Sequence, residues 1–145
     1  MAWIKSIVND LVSKHGSMNP YSIAEKMNMN VFTHDLHIEI RGYYKYDRRN
    51  KYIVINDKLD ENTQRVVCAH ELGHAILHPR SNTTFMQQNT LLSVDRIESE
   101  ANRFAAELLI PDDSLAEHEH LTIYEIASLH NVPTELVMLK CKELF

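Results

Sequence analysis

Apolar residues recur at helical spacing from the start of the chain, with Trp3, Ile4, Ile7, Val8, Leu11 and Val12 on one stripe. The stripe predicts a first helix that stops near Gly16. Asn19-Pro20 opens a second, shorter helix with Ile23, Ala24 and Met27 facing inward. From Val31 to Ile40 the pattern is mixed and fits a short strand. The period then changes to two: Ile40 to Tyr46 and Lys51 to Ile55 are rich in β-branched and aromatic residues, around a polar turn at Asp47-Arg48-Arg49-Asn50. Helical spacing returns from about Asp60, where Asp60 and Glu61 suit the positive end of a helix dipole, to His78, where Pro79 stops it. Residues 80–93 read as a polar loop. A helix from about Val94 to Ile110 ends at Pro111, and two more follow near Leu121–His130 and Pro133–Leu144. These elements predict an α+β fold: a three-stranded antiparallel sheet beside a bundle of helices. No linker, repeat or low-complexity stretch divides residues 1–145, so a single domain is expected.

Composition narrows the function classes. No segment approaches the ~20 continuous apolar residues that span a membrane, and Met1-Ala2-Trp3-Ile4-Lys5 does not begin a secretory signal. The two cysteines, Cys68 and Cys141, make neither a C-x-x-C pair nor a disulfide framework, which fits reduced thiols in the cytoplasm. The net charge of −5 argues against direct nucleic-acid binding, which needs a basic footprint. Tyr124 to Pro133 has a helix–turn–helix rhythm, yet Glu117, Glu119, Glu125, Glu135 and Glu143 around it would repel DNA. Nine histidines direct attention to metal chemistry.

The chemistry centres on His70-Glu71-Leu72-Gly73-His74. Residues four apart on a helix have Cβ atoms about 5–6 Å from one another, so both imidazoles can reach one zinc ion at about 2.0–2.1 Å. Glu71 lies about 60° around the helix from His74. There it borders the metal's open side, where a carboxylate can act as general base toward a water. Gly73 is costly inside a helix and suggests the close approach of another element. The metzincin pattern is excluded, since Leu77 and Arg80 stand where it needs glycine and histidine. His78 is a further turn along and is read first as a helix cap.

A catalytic zinc needs a third protein ligand, and two acids on the following helix compete. Glu100 shares a stripe with Arg96, Arg103 and Glu107, most simply a solvated salt-bridged face. Glu98 shares one with Ala101, Asn102 and Ala105, whose small side chains permit close packing at Gly73. Glu98 is therefore the preferred ligand, and Asn102 is placed to hydrogen-bond a ligand histidine. An oxyanion donor is left open between His78 and a hairpin tyrosine among Tyr43, Tyr44 and Tyr46, and the hairpin edge offers a place for an added substrate strand.

His70-Glu71-Leu72-Gly73-His74, followed by Glu98, Glu100, Ala101, Asn102, Phe104, Ala105 and Pro111, resembles the ImmA/IrrE family of zinc metallopeptidases over about residues 60–111. The resemblance implies a small gluzincin-like core, Glu98 as ligand, and cleavage of a helix-turn-helix repressor in a prophage or mobile element. Two rivals stand beside this zinc endopeptidase: a non-cleaving zinc-containing module that sequesters a repressor, and a structural metal site. Glu71 speaks against the first, and a count of three ligands rather than four against the second.

Overall fold

The structure, a computed structural model, describes residues 1–141. Helix α1 (Ala2–His15) ends at Gly16, whose φ of 64° is the left-handed cap expected of glycine. Its buried stripe is narrower than the sequence suggests: Ile4 and Val8 are buried while Trp3 is half exposed. Helix α2 (Pro20–Lys26) starts where the Asn19 side chain accepts from the Tyr21 and Ser22 amides. Strands β1 (Asn30–His34), β2 (Ile40–Asp47) and β3 (Asn50–Asn56) lead into α3 (Glu61–Leu77). Strand β4 (Thr83–Met86) precedes α4 (Arg96–Leu109), and α5 (Asp112–Glu117), α6 (Ile123–His130) and α7 (Thr134–Cys141) follow. The last three residues of the helix expected over 133–144 lie outside the described residues. No helix among the described residues is long and apolar enough to cross a membrane.

The fold is α+β as expected, but the sheet has four strands and is mixed, in the order β1-β3-β2-β4. β1 runs parallel to β3, from Asn30 opposite Tyr52 to His34 opposite Asn56, whereas β2 pairs antiparallel with both β3 and β4. The expected three antiparallel strands are thus corrected in number and direction. β4 escapes the sequence pattern because four residues, two threonines followed by Phe85 and Met86, are too few to show a period. The loop expected over 80–93 therefore contains the edge strand. Neither hairpin strand has a free edge, since β1 covers β3 and β4 covers β2, so no added strand can pair there. The hairpin turn is also tighter than expected. Asp47 pairs with Asn50 across two arginines, Arg48 and Arg49, with φ of 49° and 66°, the left-handed pair that a two-residue turn of this kind requires.

The sheet's inner face, with Tyr44, Ile53 and Ile55, joins Val67, Leu72, Phe104, Leu108 and Leu136 in one hydrophobic cluster. α3 and α4 meet at Gly73, where a Cβ would lie 3.0 Å from the Phe104 Cβ and 3.2 Å from the Ala101 Cα. Apart from the exposed Arg96, the charged stripe of α4 is not solvated. Arg103 Nε donates to Glu107 Oε1 at 3.0 Å, Lys140 of α7 reaches Glu107 Oε2 at 3.2 Å, and all three residues are buried. Charges four apart are normally a surface pattern; here α7 covers them.

Candidate metal centre

Several local interactions set α3 in place. The Asp60 side chain accepts the Thr63 amide at 2.7 Å and starts the helix. At its other end, the Lys51 ammonium of β3 donates to the Ala75 carbonyl at 2.9 Å, a cation on the negative end of the helix dipole. Just beyond it, the Tyr44 hydroxyl donates to the Pro79 carbonyl at 2.5 Å. α4 starts when the Asp95 side chain accepts the Glu98 amide at 3.1 Å, which fixes Glu98 in the first turn.

From these two helices His70, His74 and Glu98 bring ligand atoms together. The two Nε2 atoms are 3.2 Å apart, His74 Nε2 is 2.9 Å from Glu98 Oε1, and His70 Nε2 is 3.1 Å from Glu98 Oε2. Ligands about 2.0–2.1 Å from a tetrahedral zinc stand about 3.3 Å from one another, so the spacing fits a small cation.

The hydrogen bonds behind the cluster fix its character. Glu100 as a carboxylate only accepts, so His78 Nε2, 2.9 Å from its Oε1, carries a proton and donates it. The Nδ1 of a neutral His78 is then a lone pair, and it accepts from His74 Nδ1 at 3.0 Å. His74 Nε2 is left with its lone pair facing Glu98. In the same way His70 Nδ1 donates to Asn102 Oδ1 at 2.7 Å and leaves its own Nε2 as an acceptor. Burial lowers the pKa of His74 and favours the neutral ring, against the opposing hydrogen bond of Glu98. Burial works to raise Glu98; only when the two rings carry protons on Nε2 do their hydrogen bonds and charge outweigh it and hold the carboxyl below the usual range. With both rings neutral in these tautomers, three acceptors converge with no donor between them, and a cation in place of the protons satisfies all three. This donor set of two imidazoles and one carboxylate leaves room for further ligands.

Beside it lies Glu71, at 0% exposure, with Oε1 3.9 Å from His70 Nε2 and neither carboxylate oxygen hydrogen-bonded. Burial pushes this carboxyl well above its ordinary value, and the charge of Glu98 adds to the shift.

The structure thus brings together His70, Glu71, His74 and Glu98, with Asn102 behind His70 and His78 behind His74. It corrects two expectations. Glu100 does not sit on a solvated face: it is buried, accepts from His78 and pairs with Arg96 at 3.2 Å. His78 does occupy the C-cap position, but both its ring nitrogens are engaged, so it is not free as an oxyanion donor. Tyr44 is likewise committed to Pro79. Phe85, hidden in the missed strand, stacks on the His70 ring at 3.9 Å and forms a wall of the site. Cys68 is buried in the core, where burial pushes its thiol up.

The model of the IrrE N-terminal-like domain, a peptidase family, matches residues 24–142. The chain is 51% identical to an uncharacterized immunity region protein 2 of Bacillus phage phi105, over 94% of this chain and 88% of that protein. It is 31% identical to the metallopeptidase ImmA of Bacillus subtilis (strain 168), over 97% of this chain and 85% of that one. A solved Mycobacterium tuberculosis transcriptional regulator superposes with a TM-score of 0.66 at 16% identity, over 97% of this chain and 46% of that chain, a likeness of fold alone.

Proposed function

The chain belongs to the family of IrrE N-terminal-like domains, and from that premise we propose that it is a zinc-dependent endopeptidase, formed as one domain over residues 1–145. One observation carries the proposal: the acceptor-only cradle of His70, His74 and Glu98 lies beside a buried carboxylate, Glu71, that no protein donor satisfies. A purely structural metal site has no use for such a carboxylate and is normally closed by four protein ligands.

Zinc suits imidazole and carboxylate donors with an open position and is the usual metal of hydrolytic centres with this donor set. When bound it would polarise a peptide carbonyl and acidify a water. Glu71 is placed to take the proton of the attacking water and to return it to the departing amine. Burial raises this carboxyl in the metal-free site, and a bound cation beside it would draw it back down toward a working base. His78 and Glu100 hold the His74 ring, and Asn102 holds that of His70, so neither ligand has to be oriented when the site is loaded.

The relatives named as an immunity region protein and as ImmA support a role in phage or mobile-element immunity. We take the substrate to be the helix-turn-helix repressor of such an element, cut at one site in the cytoplasm. The test combines metal analysis with incubation alongside the repressor encoded next to this gene. We expect about one zinc per chain, lost in the His70→Ala/His74→Ala double variant and in Glu98→Ala, and a single cut in the repressor. Full zinc in the double variant would sink the site. Zinc with an uncut but tightly held repressor would favour the sequestering module.

A further inference from the structure

Strand β2 carries one residue too many where it meets β4. Ile40 stands opposite Met86 and Gly42 opposite Phe85, so Arg41 has no partner of its own on β4. A bulge of this kind re-aims a side chain and is common beside active sites. The Arg41 guanidinium carbon lies 5.1 Å from the centre of the Phe85 ring, which itself stacks on His70 at 3.9 Å. Together these spacings put the guanidinium within roughly 9 Å of the His70 ring, on the other side of the buried Phe85 ring, a separation that two or three extended residues span.

The guanidinium donates to the Gln87 carbonyl at 3.3 Å and makes no ion pair at contact distance among the described residues. Burial lowers its pKa from the ordinary arginine value, against the charge of Glu135. It is partly withdrawn from water without gaining a carboxylate in contact. It faces a cavity of about 740 Å³ with apolar walls from Ile38, Leu59, Leu91, Leu92 and Pro133. Lys58 shares the wall, but its ammonium is taken by Asp35 and the Leu36 carbonyl. Arg41 is thus the cation there with donors to spare.

We propose that this cavity takes a carboxylate side chain of the peptide substrate, Asp or Glu, on Arg41, and so helps select the bond presented to Glu71. The proposal rests on the peptidase reading above. A guanidinium pairs a carboxylate through two parallel hydrogen bonds. An apolar guest would leave it desolvated and unpaired, and a cationic guest would be repelled. Glu135, which also lines the cavity, disfavours a carboxylate guest and sets a limit on its affinity.

Two measurements test this. The first needs no cleavage: N-acetylglutamate N-methylamide is titrated into the purified protein and the arginine Nε–H signals are followed by NMR. The Arg41 signal should shift saturably, and the matching glutamine compound should not move it. Arg41→Gln should weaken the binding about tenfold or more, and Glu135→Gln should tighten it several-fold. The second sequences the cleavage products of a peptide library in which each position in turn is Asp, Asn or Lys. One position near the cut should favour Asp over Asn by about tenfold, fall to within about twofold in Arg41→Gln, and turn toward Lys in Arg41→Glu. Cleavage with no acid preference, or with the same preference in Arg41→Gln, overturns the proposal. So does an Arg41 signal unmoved by the probe. A saturable shift with no peptide cut leaves the carboxylate site standing and sinks the peptidase reading instead. Should Arg41→Gln fail to fold, the Glu135→Gln arm decides: unchanged affinity there removes the cavity from the argument.

Discussion

Glu71 has lost its water and has no hydrogen-bonding partner in the protein, which is a costly state for a carboxylate. Glu71→Gln should therefore raise the melting temperature of the metal-free protein, while zinc content stays near that of the wild type. Cleavage should fall by about 10²–10⁴, the usual contribution of a general base. Loss of zinc in that variant would make Glu71 a ligand and the mechanism wrong. Glu100 acts at one remove, through His78 on His74. Glu100→Ala should weaken zinc about 10–100-fold in a chelator competition, with Glu100→Gln recovering most of it because an amide oxygen still accepts from His78. Equal affinity in all three proteins would leave the relay a matter of packing alone. The cluster itself was legible in the sequence, because a helix turn brings residues four apart to one spot and Glu98 lies among small residues. Glu100 was misjudged for a physical reason. Its neighbours Arg96, Arg103 and Glu107 form a surface-like charge pattern; Arg96 does stay in solvent, and only the tertiary cover of α7 and His78 turns the rest inward.

At the level of elements, the α3–α4 contact decides whether the ligands meet. Gly73 sits where a Cβ would press on Phe104 and on the Ala101 backbone at 3.0–3.2 Å. Gly73→Ala gains about 1 kcal/mol of helix propensity. The overpacking it causes should cost about 1–3 kcal/mol and push α4 outward. Urea unfolding should show a net loss of stability, and zinc affinity should fall with it, because Glu98 moves away from the histidines. A gain in stability with unchanged zinc binding would mean that the helices can shift freely. Long periodic elements such as α1, α3 and α4 were readable from the chain to within a residue or two at most ends. β4 and α5 were not, because four and six residues carry too little pattern. The parallel pairing of β1 with β3 was equally hidden, since local sequence does not record which strand lies alongside a distant one.

Across the whole molecule, two devices hold the helices around the sheet. One is ionic: Asp112 pairs with Lys5 of α1 at 2.9 Å and with Lys140 of α7 at 2.7 Å. Burial tends to raise the Asp112 carboxyl, but hydrogen bonds and charge from Lys140 and Lys5 outweigh it and hold the pKa below the ordinary value. A group lowered on folding stabilises above its unfolded pKa, and that contribution fades as pH falls through the ordinary carboxylate range toward the lowered value. Asp112→Asn should thus cost stability at about pH 7 and almost none at about pH 2, read as converging urea midpoints. The other would be a metal at His70, His74 and Glu98, which would tie α3 to α4. Its removal distinguishes a catalytic centre from a structural one. His70 is held by Asn102, His74 by His78 and Glu100, and the two helices are already locked at Gly73 by apolar packing. The fold should therefore survive a chelator with its circular dichroism unchanged. Zinc at 100 times its Kd adds about 2.7 kcal/mol, and a chain of this length gains roughly 3 °C per kcal/mol. Chelation should lower the melting temperature by about 8 °C, and added zinc should restore it. Global unfolding on chelation would mean that the metal, rather than the packing around Gly73, holds α3 and α4 together, and Glu71 would then need another explanation.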